Sequence, residues 1–160
     1  VFQGNYNAFS RGIEEDLFPL LRKYGIEFDA YSPIAGGFLV KTVKQIEEGQ
    51  GRFDKSNMIG EMYSKLFNRP SLMKGLETWG KISEKYEIPK AHLAYRWITF
   101  HSALDKKYGD GLIIGGKNFE QISDTLDAIK EGPLPKGAVE EIEEVWQSIK
   151  SEAPLNNYVF

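Results

Sequence analysis

The sequence contains no cysteine, which excludes a disulfide framework, a thiolate nucleophile and the sulfur ligands of structural zinc. His92 and His101 are the only histidines, so a zinc centre has little to bind. No apolar run approaches the ~20 residues that cross a bilayer, and no Asn-x-Ser/Thr glycosylation acceptor occurs. Positive charge is not in excess either. Lys and Arg number 20 against 23 Asp and Glu, and the basic residues are scattered singly, which argues against nucleic acid as a partner. What is present is an ordinary globular balance, 41% hydrophobic and 27% charged over 160 residues, enough for one domain with a real core. A cytosolic protein with neither membrane nor nucleic-acid partners fits this balance.

Val1-Phe2-Gln3-Gly4 reads as the end of a buried strand emerging into a polar loop with Asn5, Tyr6, Asn7 and Ser10, so the chain is expected to be a piece of something larger. Ser10 then caps a helix to about Tyr24, with Ile13, Leu17, Leu20, Leu21 and Tyr24 on one face, Pro19 bending its middle and Gly25 ending it. A short apolar strand follows, ending near Tyr31. Residues 41–70 are polar and Gly-containing, a connection long enough that binding is a better explanation than joining. Helical periodicity returns at Leu72, Leu76, Trp79 and Ile82, and again after Pro89 at Leu93, Trp97, Phe100 and Leu104. Leu112-Ile113-Ile114 reads as a fully buried strand. Gly115-Gly116 then turns the chain, and Asn118 with Gln121 forms an approximate capping pair for a helix striped by Ile122, Leu126 and Ile129. Residues 135–152 make a last helix with Val139, Ile142, Trp146 and Ile149 inward, and the tail PLNNYVF is irregular.

Continuous apolar strands separated by helices imply an α/β fold with parallel pairing and right-handed crossovers. Three such strands neither close a barrel nor support a doubly covered sheet, so further chain is expected to complete them. In parallel α/β proteins ligands lie at the carboxyl ends of strands, which here means Gln3–Asn7, Tyr31–Gly37 and Gly115–Gln121. Gly115-Gly116, with a helix N-terminus behind and Lys117 beside, suits an anion such as a phosphate; the same glycines also serve a tight turn and nothing more. Tyr31 offers a face for stacking on a flat ring, or belongs to the core. Gln3 can both donate to and accept from a carboxamide. The acidic runs Glu14-Glu15-Asp16 and Glu140 to Glu144 read as solvated faces. The two histidines and Trp79, Trp97 and Trp146 read as structural.

Together the stretches VFQGNYNAFSR, FDAYSPIAGGFL, LAYRWITFHSAL, GLIIGGKNFEQISDTLDAI, EGPLP and the terminal NNYVF resemble, in order and over essentially the whole chain, the aldo-keto reductases, most closely the aflatoxin aldehyde and succinic semialdehyde reductase branch. The resemblance implies that residues 1–160 are the C-terminal half of a (β/α)8 TIM barrel. They would hold its last three β/α units, strands six to eight, with the C-terminal helix and tail, and 41–70 as the long cofactor or substrate loop. It also implies NADPH as cofactor and an aldehyde or ketone as substrate. The catalytic Tyr, Lys, His and Asp of the family would belong to the other half, so no catalytic residue is assigned here. Carried over by motif, Gln3 holds the nicotinamide carboxamide and Tyr31 stacks on its ring. Ser32, Ile34 and Gly36, with their neighbours Pro33 and Ala35, line the pyrophosphate loop, and Gly115 and Gly116 count among the cofactor-binding residues. Lys117 and Gln121 face the 2′-phosphate, and Asp124 and Thr125 meet the adenine. Gln121 stands where many relatives have Arg and Thr125 where Asn is common; Arg52, in the GRF of the long loop, offers a compensating charge. The branch places an Arg at the extreme C-terminus, whereas this chain ends Val159-Phe160, which implies a different or less anionic substrate. The expected isolated chain binds nucleotide without reducing anything. A non-catalytic scaffold that self-associates through an open barrel edge is the alternative, and a further one has another chain supplying the missing strands.

Overall fold

A computed structural model describes residues 1–156. The expectations for the last residues, including Val159-Phe160, lie outside the described residues. Strands β1 (Phe2–Asn5), β2 (Phe28–Tyr31) and β3 (Gly111–Leu112) form one parallel sheet in the order β1-β2-β3. The register pairs Phe2 with Phe28, Asn5 with Tyr31 and Asp29 with Gly111. The α/β reading with parallel pairing therefore holds. Side chains alternate across the sheet. Phe2 and Phe28 stack at 5.8 Å, and Phe28 meets Phe18 of helix α1 (Leu17–Tyr24) at 4.8 Å, so this face is covered by helix. The other face carries Gln3, Asp29 and Tyr31.

The remaining helices are α2 (Val43–Glu47), α3 (Met58–Phe67), α4 (Pro70–Lys85), α5 (Lys90–Phe100), α6 (Phe119–Lys130) and α7 (Lys136–Ile149). Leu72, Leu76, Trp79 and Ile82 on α4, Leu93 and Trp97 on α5, and Ile142, Trp146 and Ile149 on α7 are buried as their spacing predicts. Helix α5 is buried on nearly every side, Leu93 through Ile98 without interruption, which makes it the central post of the helical layer. The burial of its Arg96 is offset by hydrogen bonds, the guanidinium donating to the carbonyls of Gly132 and Pro133 and to Glu131.

Several expectations fail for identifiable reasons. The first helix begins at Leu17, not after Ser10, because Ser10 is buried in a backbone bridge with Asn7. Pro19 consequently falls in the first turn, where its missing N–H has no intrahelical acceptor to lose, and no bend is needed. Leu20 and Tyr24 are exposed, and Phe18 and Leu21 do the packing. Residues 41–70 are not a structureless connection: they hold α2, opened by a Thr42/Gln45 capping box, and α3, capped by Asn57. Phe53, Tyr63, Leu66 and Phe67 bury this segment. Leu112, Ile113 and Ile114 are not fully buried, since β3 is an edge strand. Ile122 and Leu126 stay exposed because α6 packs through Thr125 and Ala128 instead.

The acidic runs are latches as well as surface. Glu14 and Glu143 both pair with Arg11, whose guanidinium lies 5.2 Å from the ring centroids of both Trp97 and Trp146. Glu14 also accepts the Tyr6 hydroxyl at 2.6 Å. Burial, and then the Glu14 charge, push that phenol far above its usual range, so it remains a donor. Glu141 receives Lys85 and Tyr86. His101 is structural as expected, its Nε2 accepting the Leu134 N–H at 2.8 Å.

Candidate functional site

A groove of about 510 Å³ opens where β2 and β3 end. It lies at the carboxyl edge of the parallel sheet, where the chain leaves each strand and backbone groups are free of ladder partners. Its walls bring together Tyr31, Ser32, Pro33, Ile34, Gly36, Arg52, Gly115, Gly116, Lys117 and Gln121, segments up to ninety positions apart in sequence, together with Gly37, Tyr95 and Ile113. Gln3 lines an adjoining cleft of about 400 Å³, and Tyr31 borders both compartments. Ala35 is buried beneath the loop and does not line the groove.

The loop after β2 has an unusual backbone. Ser32 (φ 56°) and Ala35 (φ 51°) adopt left-handed conformations that cost a non-glycine residue on the order of 1 kcal/mol. Gly36 (φ 65°) and Gly37 (φ 100°) extend the run. The loop closes partly on itself, the Ala35 N–H donating to the Ser32 carbonyl at 2.9 Å and the Gly37 N–H to that of Ile34 at 3.0 Å. The loop is fixed from below: the fully buried Asn7 donates its amide to the Ser32 carbonyl at 3.0 Å, while its oxygen accepts the Phe9 N–H. Asn7 thus ties the strained Ser32 to the end of β1.

On the other wall, Asn118 caps α6 through the Gln121 N–H at 3.0 Å, and the Gln121 side-chain oxygen accepts the Lys117 N–H at 2.9 Å. The predicted capping pair is therefore real, displaced by one residue on its return bond. It leaves the Gln121 amide nitrogen for the groove. The electrostatics are one-sided. Arg52 and Lys117 have no carboxylate partner among the described residues, and no Asp or Glu lines the groove, although the chain is net acidic. An anion placed there meets two uncompensated cations and an α-helix N-terminus.

Asp124 and Thr125 lie elsewhere. They face α5: the Asp124 carboxylate sits 3.1 Å from His92 Nε2, and the Thr125 hydroxyl pairs with that of Tyr95. Tyr95 and Ile113 are groove residues that sequence reasoning missed. The signal was present, because Tyr95 and Trp97 project from different sides of one helix, which marks a helix packed on more than one face.

These features can be set beside known proteins. The Aldo/keto reductase family profile matches residues 1–147, and the chain belongs to that family. It is 38% identical over 154 residues to the oxidoreductase sirO of Leptosphaeria maculans, covering 96% of this chain and 47% of that protein. It is 34% identical over 162 residues to human aflatoxin B1 aldehyde reductase member 2, covering 96% and 45% respectively. The chain thus spans about half the length of the curated relatives it matches. Among solved structures, its fold is similar to that of aldo-keto reductase AKR11C1 from Bacillus halodurans, with a TM-score of 0.56 at 18% identity over 98% of this chain and 44% of that one.

Proposed function

We propose that this chain is the dinucleotide-holding part of a (β/α)8 aldo-keto reductase, contributing strands six to eight of the barrel, and that it binds NADPH for the reduction of aldehydes or ketones to alcohols. The observation that carries the proposal is the carboxylate-free groove at the strand ends, with Arg52 and Lys117 unpaired on its walls. NADPH, when bound, supplies a hydride to the carbonyl carbon. The residues of this chain bind and orient. Gln3 offers its amide to the nicotinamide carboxamide, and the ring of Tyr31, which borders both compartments, stacks on the nicotinamide. The backbone of Ser32 to Gly36 and of Gly115-Gly116 cradles the pyrophosphate. Arg52, Lys117 and Gln121 hold the 2′-phosphate. Asp124 and Thr125 reach the adenine only by giving up His92 and Tyr95. Proton donation belongs to the other β/α units of the barrel, so the chain alone binds without turning over.

Titration calorimetry with NADPH tests this. Saturable one-to-one binding is expected, weakened about tenfold by Lys117→Met at low salt; absence of binding to either NADPH or NADH would overturn it. A second reading is favoured by the apolar side chains at both outer strands: Val1 and Phe2 at β1, and Ile113 at the β3 edge with Phe119 beyond it, are all exposed. In that reading the chain associates with a partner, or with itself, through those edges.

A further inference from the structure

We infer that Tyr63 is a positioning residue whose hydroxyl holds Arg52 over the groove, ready for a phosphate; the inference rests on the dinucleotide reading above. Arg52 is exposed and has no ion-pair partner among the described residues. A long side chain so placed would sample many rotamers, and fixing it in advance removes an entropic cost from binding. Its restraint is Tyr63: Nη1 of Arg52 donates to the phenol oxygen at 3.1 Å, and the guanidinium carbon lies 5.8 Å from the ring centroid. One of five guanidinium N–H groups is engaged, which leaves the others for the groove.

Tyr63 is itself immobile. It is 5% exposed, stacks on Phe67 with an interplanar angle of 14° and meets Phe53 edge-on at 5.8 Å. Its ring also lies against Gly36 so closely that a Cβ there would stand 2.1 Å from a ring carbon. Gly36 is thus required twice, by its left-handed backbone and by the tyrosine beneath it. One aromatic side chain therefore links the phosphate-facing loop after β2 to the guanidinium carried by the 41–70 segment. The ring fixes the loop and the hydroxyl fixes the charge. Neither contact is visible in the sequence, where Tyr63 is one aromatic in an amphipathic helix.

Tyr63→Phe separates the two roles, since it keeps the ring packing and removes only the acceptor. The test is calorimetric titration of wild type, Tyr63→Phe, Arg52→Met and the double variant with NADPH and with NADH. Tyr63→Phe is expected to weaken NADPH binding roughly 3- to 10-fold and to have no further effect in the Arg52→Met background, because it acts through Arg52. Weakening confined to NADPH places the guanidinium on the 2′-phosphate; equal weakening of both dinucleotides places it on the pyrophosphate. A Tyr63→Phe protein that binds NADPH as wild type does, or a loss that persists without Arg52, overturns the inference and leaves the nucleotide reading standing. Wild type that binds neither dinucleotide overturns both.

Discussion

The helical layer and the outer margins of the sheet are built from the same apolar residue types and reach opposite ends. In the layer, Trp79 is fully buried against Phe9, and Arg11 is clamped between Trp97 and Trp146 with a carboxylate on either side. At the margins, Leu20 and Tyr24 of α1 and Ile122 and Leu126 of α6 follow helical spacing equally well and remain exposed. An apolar stripe specifies that a surface is to be buried, not what buries it. Here one set of stripes finds its partner within the chain, and the other finds none among the described residues. The exposed set belongs to the helices that follow the two outer strands in the chain.

If that division is correct, truncations on the two sides should differ by several kcal/mol. Trp79→Ala should be the most damaging, destabilising by ~3–5 kcal/mol in urea unfolding through the lost contacts and the cavity left behind. A smaller loss, roughly 2 kcal/mol, is expected for Arg11→Ala, which strips charged hydrogen bonds from Glu14 and Glu143 and leaves two indole faces unoccupied; a neutral result would mean that the clamp is ornamental. At the opposite margin, Phe119→Lys, at a side chain 81% exposed, should change stability by no more than about 0.5 kcal/mol while reducing self-association in sedimentation experiments. If Phe119→Lys destabilised the fold as a core substitution does, the contrast would collapse.

A pH test sharpens the same comparison at the point where margin and core meet. The Asp110 side chain is fully buried and accepts Arg22 from α1 and the Phe28 and Asp105 N–H groups. Burial opposes its ionisation, but Arg22 and the two backbone donors outweigh that, and the carboxyl is held below its ordinary range. A carboxyl with a depressed folded-state value adds stability that is fully present above the unfolded value, about 3.9, and is lost as pH falls through the lowered one. Asp110→Asn should therefore lower the urea midpoint at neutral pH and flatten its decline below pH 4. An unchanged acid limb would show that the pair does not couple α1 to the sheet.

Much of the site was legible because its chemistry is local. Tyr31 at a strand end, glycines after it, and a Gly-Gly-Lys before a capped helix each announce themselves within a few residues. The stretch 41–70 reads as irregular because α2 is a five-residue helix and because the helical spacing of Tyr63, Leu66 and Phe67 spans little more than one turn, while the residues packed against it, Phe38 and Gly36, lie on another segment. The start of α1 was misplaced because Ser10 is an equally good cap by composition, and only the bridge to Asn7 removes it from that role. Asp124 and Thr125 lie one turn along α6 from Gln121 and on the same side of the helix, yet that turn is occupied by His92 and Tyr95 of α5, which no local motif reveals.

The order of the three strands, their parallel pairing and the glycine-bearing turns were determined by the sequence alone, since each follows from spacing and backbone freedom within short segments. Which apolar stripe found a partner, which carboxylate became a latch and which tyrosine restrains Arg52 were decided only in three dimensions. Those outcomes depend on contacts between residues far apart in the chain, and the free energy of such a contact is set by what else the surrounding packing excludes.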